Sequence, residues 1–534
     1  MTDFRIRTED IRTEDILGLY VETERDREIV ESLKGLTPII IEGSRGTGKS
    51  FLLRVAEAQM LRDLETERAL PVYVSFVKSS LIHTSDVRQF QHWMLARICD
   101  RVGRVLNKNG LQTDAIRSSI SILTGGEGEQ SRMQKIVAQY EESYKNPGTD
   151  VDTSSIPDVQ DFKDAIQDIC DEIGIKRIVL MFDEAAHILS PEQQRQFFTL
   201  FRDLRSPYLN CNAAVYPGVT MYGQSFQSAH DARIVVLNRD ILDDEYIVSM
   251  REIVSKQADE SLMRRIEKHS ENFCALAYAV TGNPRLLLKT VGLASQLSTS
   301  KVTNVIKNFY RTKVWAEHSE LAERYAGHRD LVDWGRTFIE QIVIPDTRAR
   351  NTQWLEEQRQ ESTCFFWIHR DAPEAVKEAL RLLAYTGIVM KGDSGIVATR
   401  AAVGTRYTIN LGCLAAPDPH PIKTLTAIRS HLAIKRFTEY GFNYSRFREL
   451  ADSIGSFQEP DMLRIITTQL EKPIDVLEIT GFQKSALSKL KIDTIRKALT
   501  ASEAEFRQAH YIGGIRSRRI KNAVFASVFE YLSG

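Results

Sequence analysis

Residues 39–50 read Ile-Ile-Ile-Glu-Gly-Ser-Arg-Gly-Thr-Gly-Lys-Ser. Three isoleucines in a row suit a strand buried in a parallel sheet. Gly43 to Ser50 then follow the pattern Gly-x-x-x-x-Gly-Lys-Ser, and Phe51, Leu52, Leu53, Val55 and Ala56 continue as an apolar helical run. Strand, glycine-rich turn and helix in that order are the context a phosphate-binding loop requires. Glycine lets the backbone wrap an anion without Cβ clashes. N–H groups gather at the helix N-terminus, where the dipole favours negative charge. The candidate cradle is therefore Gly43, Ser44, Arg45, Gly46, Thr47, Gly48, Lys49 and Ser50. Within it Lys49 would reach the β- and γ-phosphates of ATP, and the Ser50 hydroxyl would hold Mg²⁺. A strand–helix turn that binds nothing is the competing reading of these residues alone.

Downstream, Ile178-Val179-Leu180-Met181-Phe182-Asp183-Glu184 is an apolar strand ending in two carboxylates. In the second half of a phosphate-loop ATPase the first acid, Asp183, would bind Mg²⁺. The second, Glu184, would orient and deprotonate the attacking water. Further strands are expected at Pro71–Phe76, Asn212–Pro217 and Ala232–Leu237, with helices at Phe90–Val102, Val159–Ile173 and Pro191–Arg205. This alternation predicts a doubly wound parallel α/β sheet with nucleotide at the carboxyl ends of its strands. The strand end Gly218-Val219-Thr220 would lie beside Asp183, and Thr220 there either senses the γ-phosphate or closes a turn. Upstream, Tyr20 and Val21 precede a helix whose N-cap is Thr23. They either flank an adenine ring or pack in the core.

Composition bounds the rest. At 534 residues the chain holds several domains. Apolar and charged fractions of 43% and 26% are those of soluble globular protein. No run is long enough to span a bilayer, no secretory signal opens the sequence, and the expected compartment is the cytoplasm. The six cysteines are scattered, with no Cys-x-x-Cys pair, so neither a zinc knuckle nor a disulfide framework is indicated. Net charge is −1, so nucleic-acid contact must come from local basic patches. Ile-Arg-Thr-Glu-Asp occurs twice in tandem, at 6–10 and 11–15, and reads as a local duplication in an exposed segment. Residues 107–160 are polar and read as an insertion with one helix, Ser131 to Tyr144. Residues 245–340 are helical without strand pattern, and Gly282-Asn283-Pro284-Arg285 ends one helix and starts another, projecting Arg285.

Tyr20-Val21, the loop Gly43–Ser50, the Asp183-Glu184 strand end and Gly282-Asn283-Pro284-Arg285 together resemble the AAA+ ATPases of the initiator clade, the origin-recognition-complex and cell-division-cycle-type proteins and their bacterial relatives. Signalling ATPases of the STAND type carry a similar Gly-x-Pro run. The resemblance implies an AAA+ core over 1–244 and a helical lid and linker over 245–345. It makes Arg285 a γ-phosphate sensor acting beside Lys49 and Glu184. It also implies an arginine finger given to a neighbouring subunit, for which Arg233, Arg202 and Arg205 are candidates, and hence self-association.

The resemblance further predicts a winged helix, expected over 346–415, with Lys391, Arg400 and Arg406 on its wing. A helical linker is expected over 416–470. Residues 471–534 are similar to helix-hairpin-helix domains, in which glycines between two helices expose backbone N–H groups to a DNA phosphate. Gly513, Gly514, Arg516, Arg518, Arg519 and Lys521 are the candidate contacts, with Arg516 standing where that motif has its second glycine. The expected function is an ATP-driven switch on duplex DNA. The alternative is an NTPase sensor, for example in anti-phage defence, whose C-terminal modules bind a protein partner.

Overall fold

The computed structural model describes residues 4–78, 82, 86, 88–125, 131–145, 148–184, 191–217, 220, 222–223, 226–324, 328–454, 470–477 and 479–532. Gly126, Gly128, Asn146, Pro147, Gly218, Val219 and Glu478, named or spanned by the readings above, lie outside the described residues. The chain divides into two compact units. One comprises Met1–Tyr216, Thr220–Lys268 and Gly282–Ser295; the other comprises Pro217–Val219, His269–Thr281 and Gln296–Gly534.

The first unit is built on five parallel strands: β1 (Ile39–Glu42), β2 (Ala69–Ser75), β3 (Arg177–Asp183), β4 (Leu209–Val215) and β5 (Arg233–Val236). Their spatial order is β2-β3-β4-β1-β5. β4 therefore separates the two strands that carry the phosphate loop and the carboxylates, pairing Ile40 with Ala213 on one side and Ala213 with Phe182 on the other. Side chains alternate along each strand, so both sheet faces are lined by the same apolar runs. Ile178, Leu180 and Phe182 of β3 pack with Trp93, Phe162 and Phe198. Val179 and Met181 pack on the other face with Ile29, Leu52 and Val55. Each such buried side chain contributes about 1.5–3 kcal/mol.

The covering helices include α1 (Glu24–Lys34), α2 (Lys49–Arg62) and α3 (Gln89–Lys108). Thr23 caps α1, accepting from the Asp26 N–H at 3.0 Å as its side chain and position predict. Each copy of the tandem pentapeptide forms a short 3-10 turn, Thr8–Asp10 and Thr13–Asp15. The segment 107–160 differs from expectation. Beside α4 (Arg132–Glu142) it forms a second helix, Arg117–Thr124, and Ile116, Leu123, Met133, Ile136 and Tyr140 join the core. Glu141 ties α4 to Lys78 at 2.7 Å and to Arg97 at 2.5 Å.

The described residues of 245–340 form helices and their connections, with no strand among them, as the sequence predicts. In the first unit Asn283 and Pro284 open α5 (Pro284–Leu293).

The second unit holds a four-stranded sheet of β6 (Phe365–His369), β7 (Val389–Val397), β8 (Val403–Ile409) and β9 (Thr438–Tyr440), in the order β7-β8-β6-β9. β7 and β8 form an antiparallel hairpin. Two of these strands are absent from the sequence reading: β6, and β9, which comes from the stretch expected to be a helical linker and pairs parallel with β6. The helix α6 (Glu374–Thr386) precedes that hairpin. Ala375, Val376, Ala379, Leu380, Leu382 and Leu383 are buried on it, and so are Glu378, Ala384 and Tyr385. A helix buried on nearly every side is a core element. The C-terminal helices α7 (Gly481–Lys489), α8 (Ile495–Thr500) and α9 (Gly514–Leu532) enclose a small core of Leu477, Leu487, Ile495, Phe506 and Ile520. Among the described residues no helix is long and apolar enough to cross a membrane. All six cysteines are free thiols.

Candidate nucleotide site

The loop between β1 and α2 takes its shape from Gly46 and Gly48, at φ +87° and +106°, a region that suits glycine. Residues distant in sequence hold the loop by its carbonyls. The Asn283 Nδ2 donates to Arg45 O at 2.8 Å while its Oδ1 caps α5, accepting from Leu286 N at 3.1 Å. Arg285 N donates to Gly46 O at 3.4 Å, and Arg239 Nη1 to Thr47 O at 2.8 Å. In a trans peptide the N–H points opposite the C=O. Carbonyls gripped from this side therefore turn the amides of Gly46 and Gly48 to the other. A Cβ on Gly46 would lie 2.8 Å from Asn283 Oδ1 and 2.9 Å from Arg285 Cβ.

Lys49 is buried. Its Nζ donates to Gly43 O at 2.6 Å and Ser44 O at 3.1 Å, and lies 4.0 Å from the Tyr216 ring centroid. Burial pushes its pKa down to about 7; Asp183 and Glu184 oppose the shift, and the charges of Arg285 and Arg45 add to it. Several cations thus converge on one loop, an arrangement that a polyphosphate would relieve.

Asp183 ends β3, buried, and its pKa is raised by burial and by Glu184. Hydrogen bonds from Tyr73 and Ser50, and the charge of Lys49, work against that rise. Its Oδ2 accepts from the Tyr73 hydroxyl and its Oδ1 from Glu184 N at 2.9 Å. Glu184 sits at φ +58°, a left-handed conformation that costs a non-glycine residue about 1–3 kcal/mol and collects at functional sites. The Tyr216 hydroxyl lies 3.5 Å from Glu184 Oε1. The Ser50 hydroxyl and Asp183 carboxylate, already in contact, are the hard oxygen donors Mg²⁺ takes.

The structure therefore brings together Gly43 to Ser50, Asp183, Glu184 and Arg285. Arg285 Nε also donates to Ile6 O at 3.2 Å, so the N-terminal segment reaches this site. Tyr20 and Val21 are buried, Tyr20 packing among Ile16, Ile29 and Leu52. The Thr220 hydroxyl donates to Tyr216 O at 2.8 Å, while the Tyr216 ring lies against Lys49 and its hydroxyl reaches Glu184. Sequence reasoning missed Tyr73, Tyr216 and Arg239. The last is braced against Asp26 at 3.0 Å, and Arg239 on its loop after β5 had no motif to mark it.

The finger candidates lie elsewhere. Arg233 opens β5, its N–H donating to Pro38 O at 2.9 Å, and lines with Arg205 and His230 a groove at the amino ends of the strands. Arg202 pairs with Asp203 at 2.8 Å.

The basic candidates of the second unit divide sharply. Arg406 is engaged: Nη2 pairs with Asp393 at 2.8 Å and Nη1 donates to Ile434 O at 3.0 Å. The Arg400 side chain lies outside the described residues. Lys521 turns inward, donating to Leu499 O and, at 2.7 Å, to Ala501 O at the end of α8. Arg518 is half-buried over the Phe442 ring. Gly513, Gly514, Arg516 and Arg519 are exposed at the start of α9, with Arg516 5.8 Å from the Phe482 ring.

The sequence model of the ORC-CDC6-like family matches residues 5–326, more than half of the chain. No curated protein matches in sequence. Solved structures similar to this one include the Aeropyrum pernix ORC1 protein in complex with DNA, at 13% identity and TM-score 0.31, covering 78% of this chain and 95% of that one. The Aeropyrum pernix ORC2 protein, in ADPNP-ADP complexes, is similar at 11% identity and TM-score 0.36, covering 77% and 95%. AMPPCP-bound DnaA from Aquifex aeolicus is similar at 14% identity and TM-score 0.28, covering 67% and 95%.

Proposed function

Since the chain belongs to the ORC-CDC6-like family, we propose that it is an ATP-binding and ATP-hydrolysing switch that associates with double-stranded DNA. One observation carries the reading: Lys49, Ser50, Asp183 and Glu184 meet at the carboxyl ends of β1 and β3, with Arg285 at the loop tip. In this reading the amides of Gly46 and Gly48 and the N-terminus of α2 bind the triphosphate. Lys49 leaves the carbonyls of Gly43 and Ser44 for the β- and γ-oxygens. Ser50 and Asp183 would hold Mg²⁺, whose charge offsets that of the phosphates. Glu184 orients the attacking water and takes its proton. Arg285 reports the γ-phosphate, and letting go of Ile6 O is part of that report. A neighbouring copy completes the site with one of Arg233, Arg202 or Arg205.

DNA contact falls to the exposed turn at Gly513-Gly514 with Arg516 and Arg519, phosphate-directed and hence salt-sensitive. A protein partner for the same module is the second reading, favoured by the exposure of Phe482 (51%), Tyr511 (70%) and Ile515 (76%) beside those arginines. ATP turnover, measured with and without duplex DNA, tests the first part; no turnover in either condition overturns it. Duplex affinity across a salt series decides the second. A steep fall with salt supports DNA, and no binding at low salt supports a protein partner.

A further inference from the structure

Two tyrosines that no motif marks bracket the carboxylates at the end of β3, one from β2 and one from just past β4. β2 and β4 flank β3 in parallel register, with Ser75 opposite Asp183 and Ala213 opposite Phe182. Registered partners share a face and residues two apart along a strand do too, so Tyr73 stands on the face of Asp183. Its hydroxyl donates to Asp183 Oδ2, while Oδ1 accepts from Glu184 N at 2.9 Å; both oxygens of the carboxylate are thus oriented. The Tyr73 ring is itself clamped. The Arg54 guanidinium lies 4.8 Å from its centroid, and Arg54 is held by Glu57 and by Thr13 Oγ1 at 2.7 Å. From the other side, Tyr216 lies just past β4. Its ring covers Lys49 at 4.0 Å and its hydroxyl reaches Glu184 Oε1 at 3.5 Å.

We propose that Tyr73 and Tyr216 are positioning residues for nucleotide turnover: Tyr73 aligns Asp183 toward Mg²⁺, and Tyr216 aligns Glu184 toward water. The assignment rests on the nucleotide-site reading above. Packing does not account for the hydroxyls. Tyr73 sits among apolar residues of the sheet, where a phenylalanine fills the same space. A buried phenol costs free energy unless it is hydrogen-bonded, and the two hydroxyls point at the two acids of the site. Outer partners of a metal-binding carboxylate fix its orientation, and losing one typically weakens the metal about 10–100-fold.

The test separates metal capture from chemistry. Nucleotide affinity is measured for the full chain in EDTA and across a Mg²⁺ titration, and turnover is measured at saturating ATP and Mg²⁺. Tyr73→Phe is expected to bind metal-free ATP like wild type but to need about tenfold more Mg²⁺ for the metal-dependent gain in affinity. Tyr216→Phe is expected to keep the wild-type Mg²⁺ requirement and to lose about tenfold in turnover, the low end of what a positioned general base supplies. A wild-type Mg²⁺ requirement in Tyr73→Phe, or a loss of ATP affinity in EDTA as large as that in Mg²⁺, overturns the assignment of Tyr73. Undiminished turnover in Tyr216→Phe overturns that of Tyr216. Wild-type protein that binds no ATP at all sinks the nucleotide reading instead.

Discussion

Two glycine-rich turns in this molecule lead into helices, and they do opposite things with their glycines. At Gly43–Ser50 the turn is enclosed: a Cβ on Gly43 would meet Thr47 Oγ1 at 2.7 Å and Leu237 O at 3.1 Å, and one on Gly46 would strike Asn283 and Arg285. At Gly513-Gly514 the turn is open, with nothing within 4 Å of either position. The first turn needs glycine because the protein itself crowds the backbone into a cradle. The second needs none for its own sake; its bare backbone has a use only if something else approaches. The contrast separates a turn enclosed by the protein's own atoms from one left open at the surface.

The sharpest break between the two regions is Lys49→Ala. Charged hydrogen bonds to phosphate contribute about 1.5–3 kcal/mol each, so the variant is expected to lose ATP affinity about 100-fold or more, read by fluorescent-nucleotide titration, with DNA affinity in the absence of nucleotide unchanged. Gly46→Ala comes next. Strain at a positive φ plus the close contacts should lower stability by about 2–3 kcal/mol in denaturant titration. Gly514→Ala in the same assay should stay within about 0.5 kcal/mol.

Protonation sharpens the picture of the enclosed turn. Burial holds Lys49 at about 7, against ~10.4 for a free lysine. Between those values the unfolded chain carries the extra proton, so the nucleotide-free protein gains stability as pH rises through that window. A bound triphosphate favours the charged lysine. ATP binding at pH 8 is therefore expected to take up a proton, seen as a buffer-dependent enthalpy in calorimetry, and to weaken as pH rises above 7. The smallest effect belongs to the open turn. Arg516→Ala and Arg519→Ala should each weaken duplex binding only several-fold and reduce the salt slope by about one.

The enclosed site was largely readable because its chemistry is local. A strand, a turn and a helix start follow one another over 39–56, and Asp183-Glu184 and Asn283-Pro284-Arg285 are short runs whose neighbours explain them. What braces them was not readable. Tyr73 lies 110 residues from Asp183 and Arg239 lies 192 from Thr47, and no spacing rule links such pairs. Tyr216 carried no mark either: strand β4 stops at Val215, and the next residue is the one that meets Lys49 and Glu184. Residues 107–160 looked solvated because their apolar residues are spread thinly among polar ones at helical spacing. Yet Ile116, Leu123, Met133 and Tyr140 all reach the core. In the second unit, Phe365-Phe366-Trp367-Ile368 carried the aromatic, β-branched signature of a strand, whereas the three-residue β9 is too short to leave one. Nor does sequence distinguish the basic residues near the C-terminus from one another. Lys521 has the same charge as Arg519 but spends it on the carbonyls that end α8.

Strand β4 is anchored at its beginning by amide side chains. Asn210 Nδ2 donates to Gly35 O at 3.0 Å, and Asn212 joins Leu33 O at 2.8 Å to the Ile39 N–H at 2.9 Å. Past its other end stands the aromatic ring that rests against Lys49. A strand pinned at one tip and paired along both edges holds what lies past its other tip still, so Lys49 rests against a wall that the sheet itself keeps in place.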